Sequence, residues 1–544
     1  MKVLILGGVA AGTKTAAKLL REDRSCEVTI LTKGSEISYA GCGLPYYVGD
    51  VIHDREQLIV NSPEKYAKLT GASVLTQTEA VSVDPAGHKV TAKDLRTGET
   101  SDYSYDKLVI ATGASPFIPD IPGLNLKNIF VMRTPGDAIS LREAVESGEI
   151  KRAVVAGGGF IGLEVAENLA ARGVKTTVID FAPHVLPNFL DPEMAEYVEN
   201  KMADAGIMPM TGVALEGALG TDKVEKVQTS KRSMKADALI LAIGIRPNTA
   251  FLEGTGLEMV KGTIVTDPYL QTNVADIYAV GDCAMVTNRE TGKPAWSPMG
   301  STANIAGSVL AQNLAGAKLE YPGVLGTGVA KLPGNISVGR TGLTETAAKA
   351  EGFDVVCALS VVDDKAHYYP GAGSFIIKLT ADRTTRKLLG VQVLGAGAVD
   401  KVTDICVTAI SLGATVDQLA LMDFAYAPPF STAIHPLAQS INVLMNKLDG
   451  NLESCTPAEY AEGAAEGREI IDCSPAPALH TKKYLDLTTI SGAVDGIGKD
   501  DKLLLVCAKG KRAYLTQNRL KYYGYTNTMV LEGGLTFTEI DENK

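Results

Sequence analysis

The chain has 544 residues, of which 45% are hydrophobic, and its formal net charge at pH 7 is -11. This length exceeds what one hydrophobic core can hold and predicts three or four domains. The negative charge argues against a nucleic-acid partner, and no apolar run is long enough to span a membrane, so we expect neither nucleic acid nor membrane as a partner. The eight cysteines include no CxxC pair, so we expect no metal site and a location in the reducing cytoplasm.

The first predicted elements are a strand at 3–6, a glycine turn at 7–12 and a helix, followed by a second strand at 27–32. The apolar start is too short for a signal peptide and is interpreted as a buried strand. A glycine turn at a helix N-terminus lets a pyrophosphate approach free backbone N–H groups. This unit predicts a dinucleotide site, although Val9 replaces the middle glycine and Thr32 replaces the acid that usually ends the second strand. The predicted contacts are Gly7, Gly8, Ala10, Ala11, Gly12, Thr32 and Lys33.

A cysteine between two glycines, Cys42, follows the second strand in the segment SYAGCGLPYY at 38–47. The small neighbours allow the sulfur to approach a flat cofactor. A place at a helix N-terminus would lower the pKa of the thiol and favour the thiolate. Because Gly-Cys-Gly-Leu-Pro is an unusual setting for an inert core cysteine, Cys42 is the predicted redox centre.

A second strand–turn–helix–strand unit occupies 151–180 and contains a complete GxGxxG motif. Asp180 ends its second strand, at the place where a carboxylate binds a ribose hydroxyl. Two such units in one chain predict two dinucleotide sites. The contacts predicted for the second site are Gly157, Gly159, Phe160, Ile161, Gly162, Asp180 and Gly244.

Three further segments connect these two units. The apolar segments 105–116 and 236–248 are predicted to cross between two nucleotide-binding domains, and 272–284 returns the chain to the first domain. At that return an aspartate beside small residues suits a ribityl chain that lies close to the backbone. The predicted contacts in these segments are Ala111, Thr112, Gly113, Gly281 and Asp282.

The predicted fold is α/β, with two Rossmann-like nucleotide-binding domains, an α+β domain and a small C-terminal α/β domain. We place the first nucleotide-binding domain at 1–112 and 245–324, and the second at 113–244. Strand-like runs and one long helical stretch predict the α+β domain at 325–445. A polar, Gly/Ala-rich stretch at 446–466 is the predicted linker, and the last domain occupies 467–544.

The chain resembles the pyridine nucleotide–disulfide oxidoreductases over residues 1–445, through the two glycine motifs, SYAGCGLPYY, YDKLVIATGASPFIPDIPGL, LAIGIRPN and YAVGD. Within them it resembles the single-cysteine branch, which contains coenzyme A disulfide reductase, NADH peroxidase and NADH oxidase. The resemblance implies that the first motif binds FAD, that the second binds NAD(P)H and that 325–445 is a dimerisation domain. The choice between NADH and NADPH stays open.

Three features select a function within this branch. Tyr47 stands where the disulfide reductases carry a second cysteine, so Cys42 would form a mixed disulfide, a persulfide or a sulfenic acid. Ala10 stands where the peroxidases and oxidases carry a histidine, which disfavours reduction of peroxide or oxygen. HYYPG and YAPPFS resemble the tyrosine motifs of coenzyme A disulfide reductases, which implies that Tyr368 and Tyr426 reach the partner's active site in a homodimer.

The resemblance also implies coenzyme A as the substrate or a bound thiol. Lys14, Lys18 and Arg21 share one face of the first helix and would meet its phosphates together with Ser38, whereas a solvated charged face is the alternative. Gly41 replaces the asparagine that is common before the nucleophile. His435 precedes a proline, as the acid–base histidine of glutathione reductases does, but a lone histidine is more often structural and its role stays open.

The C-terminal segment 503–534 resembles the active-site half of a rhodanese. Cys507 begins and Arg512 ends a six-residue loop that would aim backbone N–H groups at the sulfur and stabilise a persulfide. Asp472 resembles the aspartate of the rhodanese Asp-x-Arg motif, but Ser474 stands in place of the arginine. A degenerate binding module is therefore the alternative.

The sequence thus predicts an FAD-dependent NAD(P)H oxidoreductase that acts on a small-molecule disulfide or persulfide. Its substrate would be coenzyme A disulfide, coenzyme A persulfide or polysulfide. The predicted catalytic residues are Cys42, Tyr368, Tyr426 and Cys507, and the predicted substrate contacts are Lys14, Lys18, Arg21, Ser38 and Arg512. Two alternatives stay open, an NADH oxidase or peroxidase and a sulfur-carrier or redox-sensing protein.

Overall fold

The computed structural model describes residues 1–542, which form two compact units. The first unit comprises 1–183 and 206–324, and the second comprises 184–205 and the described residues from 325 onward. Within residues 1–542 no helix is both long enough and apolar enough to cross a membrane.

The first unit begins with a parallel sheet whose central strand is apolar after its first residue. Its elements up to residue 110 are β1 (Lys2–Leu6), β2 (Glu27–Leu31), β3 (Ser73–Leu75), β4 (Thr78–Asp84), β5 (Lys89–Asp94), β6 (Thr100–Ser104) and β7 (Lys107–Ile110), with α1 (Ala11–Glu22), α2 (Leu44–Val48) and α3 (Pro63–Thr70). β1 pairs in parallel with β2 and β7. Residues 3–6 are fully buried, as expected for a strand covered on both faces. β4, β5 and β6 form a separate antiparallel sheet.

The following part of the chain builds a second parallel sheet, in the order β12-β11-β10-β16-β9. Its elements are β8 (Ala114–Pro116), β9 (Ile129–Phe130), β10 (Arg152–Ala156), β11 (Lys175–Ile179), β12 (Met208–Met210), β13 (Leu215–Leu219), β14 (Lys226–Thr229), β15 (Ser233–Lys235), β16 (Ala238–Leu241) and β17 (Ile245–Pro247), with α4 (Pro135–Glu146), α5 (Phe160–Ala171) and α6 (Pro192–Asp204). β8 pairs with β17 in antiparallel fashion. The two segments predicted to cross between nucleotide-binding domains therefore lie side by side.

The chain then returns to the first sheet. This part contains β18 (Met259–Val260), β19 (Thr263–Ile264), β20 (Ile277–Ala279), β21 (Val286–Thr287), β22 (Pro294–Ala295) and α7 (Gly300–Leu314). β20 pairs with β7, so the first sheet has the order β20-β7-β1-β2-β3. The predicted return of 272–284 to the first domain is confirmed, as are two Rossmann-like sheets.

The second unit contains an antiparallel sheet covered by helices, as predicted for an α+β domain. The elements are β23 (Gly328–Leu332), β24 (Ile336–Gly342), β25 (Val355–Asp363), β26 (Ser374–Asp382) and β27 (Leu388–Gly395), with α8 (Glu345–Ala350), α9 (Val399–Ser411), α10 (Val416–Ala420) and α11 (Pro436–Leu448). The strand order is β23-β24-β27-β26-β25, and all eight residues of β27 are buried.

Helix α6 groups with this second unit, whereas the sequence placed it in the nucleotide-binding domain at 113–244. The physical reason is a fully buried lysine, Lys378, whose ammonium lies 2.9 Å from Asp191 and 2.7 Å from Glu345 and also contacts Glu193. A buried charge must be paired to be tolerated, and the start of α6 supplies two of the three carboxylates. The Lys378 ammonium thus occupies the position among the three carboxylates that a metal ion would otherwise take.

The C-terminal part of the second unit is a five-stranded parallel sheet in the order β28-β32-β31-β29-β30. Its elements are β28 (Ser454–Cys455), β29 (Glu469–Asp472), β30 (Lys483–Tyr484), β31 (Leu503–Val506) and β32 (Thr528–Leu531), with α12 (Pro457–Ala461), α13 (Lys511–Tyr522) and α14 (Gly534–Phe537). The predicted linker at 446–466 is therefore wrong, because β28 pairs with β32 inside this sheet. The pairing contributes backbone hydrogen bonds that a polar, glycine-rich composition does not reveal.

Candidate active site

The first glycine turn has the geometry that a close phosphate contact requires. Gly7 has a positive φ of 116°, and a side chain on it would overlap the Ala111 carbonyl at the end of β7. Helix α1 begins at Ala11 without a side-chain cap from Ala10, so the first N–H groups of the helix are left for a ligand. Ser38 joins this turn through its N–H, which donates to the Gly8 carbonyl at 2.9 Å.

The other residues predicted for the first site lie around this turn, with one exception. A side-chain carbon on Gly8 would lie 3.2 Å from Cβ of Thr32, and one on Gly281 would lie 3.0 Å from Cβ of Ala11. These approaches bring the ends of β2 and β20 to the start of α1. Lys33 is instead exposed and paired with Glu79 at 2.8 Å, so its charge is already engaged.

The second glycine turn repeats this geometry. Gly157 has a φ of 111°, and a side chain on it would overlap the Ala242 carbonyl. Gly159 precedes α5 without capping it, and no atom lies within 4 Å of the position of its missing side chain, so a ligand can approach the backbone there. Phe160 and Ile161 form the first turn of α5, and Gly162 packs against the turn. Gly244, with a φ of 119°, has the same open surroundings.

Asp180 lies where the sequence predicted it, but its carboxylate is already hydrogen-bonded. It accepts a hydrogen bond from the Gly158 N–H at 2.6 Å and one from the Ala182 N–H at 2.7 Å. A carboxylate offers about four lone-pair sites, so room for a ribose hydroxyl remains. The aspartate therefore also braces the glycine turn. Both turns fit the dinucleotides that the sequence predicts, FAD at the first and NAD(P)H at the second.

Cys42 lies in a single 3-10 turn, Gly41–Gly43, directly before α2. The segment that follows it is fixed by Arg142 of α4. The Arg142 guanidinium donates to the Tyr47 carbonyl at 3.0 Å and to Asp50 at 2.6 Å, and it lies over the Tyr47 ring. A side chain on Gly49 would overlap the amide of Asn168 on α5, so α2 packs tightly against the helix of the second glycine motif.

Cys42 is accessible to solvent. Partial burial of its sulfur nevertheless raises the pKa of the thiol. The negative charges of Glu164 and Asp282 raise this pKa further, while the positive charge of Arg133 lowers it. The expectation that a helix dipole would lower this pKa is therefore wrong for this arrangement, because burial of the sulfur raises it, two carboxylates lie nearby and α2 has only five residues.

Glu164 is the most perturbed carboxyl group beside Cys42. Burial raises its pKa to about 7, against the hydrogen bond from the Tyr46 hydroxyl at 3.3 Å, and Glu167 adds a smaller upward push. At neutral pH this group is poised to give or to take a proton. On the other side, Arg133 Nη2 lies 3.3 Å from Asp282 Oδ2, and the charges of both residues act on the Cys42 thiol.

The sequence did not single out Arg133 or Glu164. For Glu164 a signal was present, because it follows the last glycine of the second motif by two residues and so lies on the first turns of α5. Nothing in the sequence around Arg133 marks it, since its role depends on how the strands fold.

The basic residues proposed for coenzyme A lie on α1 as predicted. Lys18 pairs with Glu22, one turn further on, while Arg21 is exposed and Lys14 is partly buried. One of the three charges is therefore partly offset within the helix, and the solvated-face alternative stays open.

Tyr368 and Tyr426 are brought together in the second unit. Their hydroxyl oxygens lie 3.4 Å apart, although 58 residues separate them in the chain, and both side chains are largely exposed. The hydrogen bond to Tyr368 raises the pKa of Tyr426. Two tyrosine hydroxyls on one surface can donate to a sulfur anion.

His435 is a structural residue in this fold. Its Nδ1 accepts the Leu437 N–H at 3.2 Å and so caps α11. Burial, together with the nearby charge of Lys401, lowers its pKa to about 4, so the ring is neutral at physiological pH. The structural interpretation of this histidine is favoured over the acid–base one.

Cys507 directly follows β31 and is 3% exposed. The predicted six-residue loop is wrong in one respect, because α13 begins at Lys511 and Arg512 therefore lies in its first turn, paired with Asp486 at 2.6 Å. The Ala513 N–H donates to the Cys507 sulfur at 3.4 Å, in line with the predicted aim of backbone N–H groups at this sulfur.

Lys509 ties the Cys507 loop to the antiparallel sheet of the same unit. Its ammonium lies 2.6 Å from Asp363 at the end of β25 and 2.8 Å from the Ser374 hydroxyl at the start of β26. The segment between these two strands carries Tyr368. Lys509 thus ties the loop after Cys507 to the two ends of the segment that carries Tyr368.

Asp472 and Ser474 do not form a rhodanese-type pair with an arginine. The Asp472 carboxylate instead accepts three N–H groups, from Ser474 at 2.9 Å, Ala478 at 2.5 Å and Leu479 at 3.0 Å. It therefore holds the chain after β29 in a turn.

Comparison with known proteins confirms the resemblance found in the sequence. The family model for pyridine nucleotide-disulphide oxidoreductases matches residues 1–306, and that for their dimerisation domain matches residues 334–438. An NADH oxidase of Methanocaldococcus jannaschii is 35% identical over 82% of this chain and 99% of its own. A CoA-dependent NAD(P)H sulfur oxidoreductase of Pyrococcus abyssi is 36% identical over 81% of this chain and 98% of its own.

A solved structure matches almost the whole chain. It is that of an NAD-dependent persulfide reductase from A. fulgidus, with a TM-score of 0.93 and 34% identity over 99% of this chain and 100% of that chain. The family implies FAD and NAD(P)H as cofactors, and both glycine turns described above fit a dinucleotide. The chain belongs to the pyridine nucleotide-disulphide oxidoreductase family and is an NAD(P)H-dependent flavoprotein reductase.

Proposed function

We propose that the chain reduces a low-molecular-weight persulfide, such as coenzyme A persulfide, with electrons from NAD(P)H. Coenzyme A disulfide and polysulfide are the further substrates proposed for the same site. The observation that carries this proposal is the setting of Cys42, an accessible thiol among Arg133, Glu164 and Asp282, with Tyr47 in place of a second cysteine. Because Tyr47 replaces the second cysteine, the Cys42 thiol has no neighbouring thiol with which to close a disulfide, and its covalent partner would be the sulfur of the substrate.

The proposed reaction has two stages. The Cys42 sulfur attacks the sulfane sulfur of the substrate, so that a Cys42 persulfide forms and coenzyme A leaves as the thiolate. The new sulfur–sulfur bond then takes up two electrons and breaks, which releases sulfide and restores the Cys42 thiolate. When bound, FAD supplies these two electrons, which originate from NAD(P)H.

Glu164 is proposed to manage the proton of this reaction. With a pKa of about 7, it is present in both protonation states at neutral pH. Its protonated form removes a negative charge that raises the pKa of Cys42, and so it favours the attacking thiolate. The same proton can then pass to the departing sulfur, either directly or through the Tyr46 hydroxyl.

Tyr368 and Tyr426 are proposed to act on the leaving group from across a homodimer. This follows from the family resemblance of their motifs and from the presence of a dimerisation domain. Their hydroxyls would donate hydrogen bonds to the thiolate of coenzyme A. Its phosphates would meet Lys14, Lys18 and Arg21, with Ser38 close to the first glycine turn.

Cys507 is proposed to carry sulfane sulfur in a rhodanese-like domain. The supporting observations are the parallel sheet around β31, the helix N-terminus that faces the sulfur, and the nearly complete cover of this chain by a persulfide reductase structure. Ser474 replaces the arginine of the rhodanese Asp-x-Arg motif, so Arg512 and Lys511 would provide the local positive charge.

The test is Cys42→Ser, assayed without oxygen for NADH oxidation and sulfide release with coenzyme A persulfide, and separately with coenzyme A disulfide. We expect a loss of more than about 10³-fold, since removal of a covalent nucleophile costs that much or more. FAD should stay bound, as read from the visible absorbance. Cys26→Ser, at a buried cysteine of the same unit, is the control. Full activity of Cys42→Ser with coenzyme A persulfide would refute the proposal.

An NADH oxidase is the second candidate function, because the M. jannaschii relative carries that name. In that case Cys42 would cycle through a sulfenic acid, and the electrons would pass to oxygen. Oxygen uptake in the absence of any sulfur substrate distinguishes the two. A kcat/KM for oxygen above that for coenzyme A persulfide would favour the oxidase.

A further inference from the structure

Two buried cysteines of the C-terminal sheet occupy neighbouring positions on adjacent strands. β29 and β31 are parallel, with Asp472 opposite Val506, and the Cys473 N–H donates to the Val506 carbonyl at 2.7 Å. This hydrogen bond continues the register by one residue and places Cys473 opposite Cys507. Residues in register on neighbouring strands have Cα atoms about 5 Å apart, which is within the range of about 4.4–6.8 Å that a disulfide spans.

The two thiols also face the same helix. The Ala513 N–H of α13 donates to the Cys507 sulfur at 3.4 Å. The Cys473 thiol donates to the Ile471 carbonyl at 3.6 Å, and both Thr516, three residues further along α13 than Ala513, and Cys507 lie near enough to act on its pKa. Residues three apart share one face of a helix. Both cysteines belong to one buried apolar cluster and are at most 3% exposed. The strand register and the surroundings near α13 therefore both indicate that the Cys473 and Cys507 thiols lie next to each other.

We propose that Cys473 and Cys507 form a second redox site, a dithiol that closes into a disulfide after Cys507 accepts sulfane sulfur. This proposal rests on the sulfur-carrying role proposed above for Cys507. The Cys473 sulfur attacks the Cys507 sulfur of a Cys507 persulfide. A bond forms between the two cysteine sulfurs, the bond to the outer sulfur breaks, and the outer sulfur leaves as sulfide with the proton of Cys473.

Electrons balance within this step. The outer sulfur leaves with the electron pair of the broken bond and so gains one electron, the Cys473 sulfur gives one, and the Cys507 sulfur keeps its oxidation state. Two equivalents of a low-molecular-weight thiol, such as coenzyme A, reopen the pair and become a disulfide. That disulfide belongs to the substrate class proposed for Cys42, so the NAD(P)H-dependent reaction could clear the product of the second site.

The surroundings of Cys473 make its thiol a slow nucleophile in this step. Burial raises the pKa of its thiol to about 12, and negative charge on Cys507 or Asp472 pushes it upward too. A thiol that is rarely a thiolate attacks slowly. Sulfur that Cys507 passes on quickly therefore escapes closure, whereas sulfur that stays on Cys507 is released as sulfide and the pair is protected from further oxidation.

The test uses the full-length protein in a Cys42→Ser background, so that the first centre takes no sulfur. The protein is incubated with coenzyme A persulfide without NAD(P)H or oxygen, and the cysteine peptides are analysed by mass spectrometry. We expect a Cys473–Cys507 cross-linked peptide and one released sulfide per chain. With Cys473→Ala added, we expect the extra sulfur to persist on Cys507. Cys455→Ala, two strands away from β31 in the same sheet, should cross-link as its parent does.

A second probe separates the two proposals. Diamide oxidises a close dithiol directly, without any sulfane sulfur. A cross-link with diamide but no sulfur uptake from coenzyme A persulfide supports the dithiol and overturns the sulfur-carrying role of Cys507. Stable extra sulfur on Cys507 with no cross-link from either probe overturns the dithiol while the sulfur-carrying role stands.

Discussion

The two candidate sulfur centres differ in almost every physical respect. Cys42 is accessible, lies in a short turn between glycines and is surrounded by ionisable groups of three different segments. Cys507 is buried at the end of a parallel strand in an apolar cluster, and one helical N–H points at its sulfur. Arg142 fixes the segment that follows Cys42 through Asp50, whereas Lys509 fixes the loop that follows Cys507 through Asp363.

This difference separates the tasks that each thiol can perform. An accessible thiol beside a carboxyl group of pKa about 7 can meet a large substrate and exchange protons with it. A buried thiol can be reached only when its loop opens, but once it is loaded it is shielded from water and competing thiols. We therefore expect changes around Cys42 to alter turnover and changes around Cys507 to alter sulfur storage.

After Cys42→Ser, the largest effect should come from the tyrosine pair. The double substitution of Tyr368→Phe and Tyr426→Phe removes two hydroxyl donors proposed for the leaving thiolate. We expect kcat/KM for coenzyme A disulfide to fall by about 10²-fold, as is usual for loss of a general acid. Tyr369→Phe, in the same segment, is the matched control. An unchanged kcat/KM in the double variant would remove these residues from the reaction.

Glu164→Gln should have an intermediate effect, on the pH dependence of Cys42. Because the carboxylate raises the pKa of Cys42, its removal should lower that pKa and move the alkylation profile of Cys42 to lower pH. A shift of one unit would mean about tenfold faster alkylation below the pKa. The profile of the unmodified protein should also bend near pH 7, where Glu164 itself titrates.

Glu167→Gln, one turn further along α5, is the comparison for this experiment and should move the profile less. The rate of iodoacetamide modification of Cys42, followed by peptide mass, gives the measurement. An unchanged or upward shift in the Glu164→Gln variant would contradict the assigned electrostatics.

Lys509→Ala should have a smaller effect, and only at the second centre. It removes the tie between the Cys507 loop and Asp363, a pair that is about one-third exposed and so contributes about 0.5–1 kcal/mol. We expect Cys507 to be alkylated about two- to fivefold faster, while Cys42 reacts as before. Lys511→Ala, in the first turn of α13, provides the control. Equal acceleration in both variants would mean that overall charge, and not the tie, protects the sulfur.

The smallest effect on disulfide reduction should come from Cys507→Ser. Because the proposed reduction of coenzyme A disulfide needs only the first centre, we expect its rate to stay within about twofold of the unmodified protein, the range of a substitution that leaves the reacting residues unchanged. Transfer of sulfane sulfur to cyanide should be lost. A large fall in disulfide reduction would mean that the two centres share one reaction.

Much of this arrangement could be predicted from the sequence, because its signals are local. The glycine turns, the strand before each and the place of Asp180 follow from backbone sterics within a few residues. The pair of Tyr368 and Tyr426 was named through family resemblance. The short β28 inside the predicted linker, the tie of Lys509 to Asp363 and the nearness of Arg133 to Cys42 were missed, because each depends on contacts between distant segments.

The charge state of Cys42 shows where local reasoning fails. A glycine-flanked cysteine before a helix suggested an acidic thiol, but the folded chain buries part of its surroundings, adds two carboxylates and ends the helix after only five residues. Helix α6 shows the same effect at the level of domains, since a buried Lys378 draws Asp191 into the second unit. In both cases long-range electrostatics outweighs the neighbouring sequence.

The brace between Asp180 and the Gly158 N–H has a consequence for anyone who wishes to exchange the nucleotide that this enzyme accepts. A redesign toward a phosphorylated ribose would begin by deleting that carboxylate, and the deletion would at the same time leave a backbone amide unsupported in the turn. The predicted ribose contact and the support of the turn thus depend on a single side chain. A successful redesign would need a neutral hydrogen-bond acceptor at 180 and a separate cation nearby, introduced together.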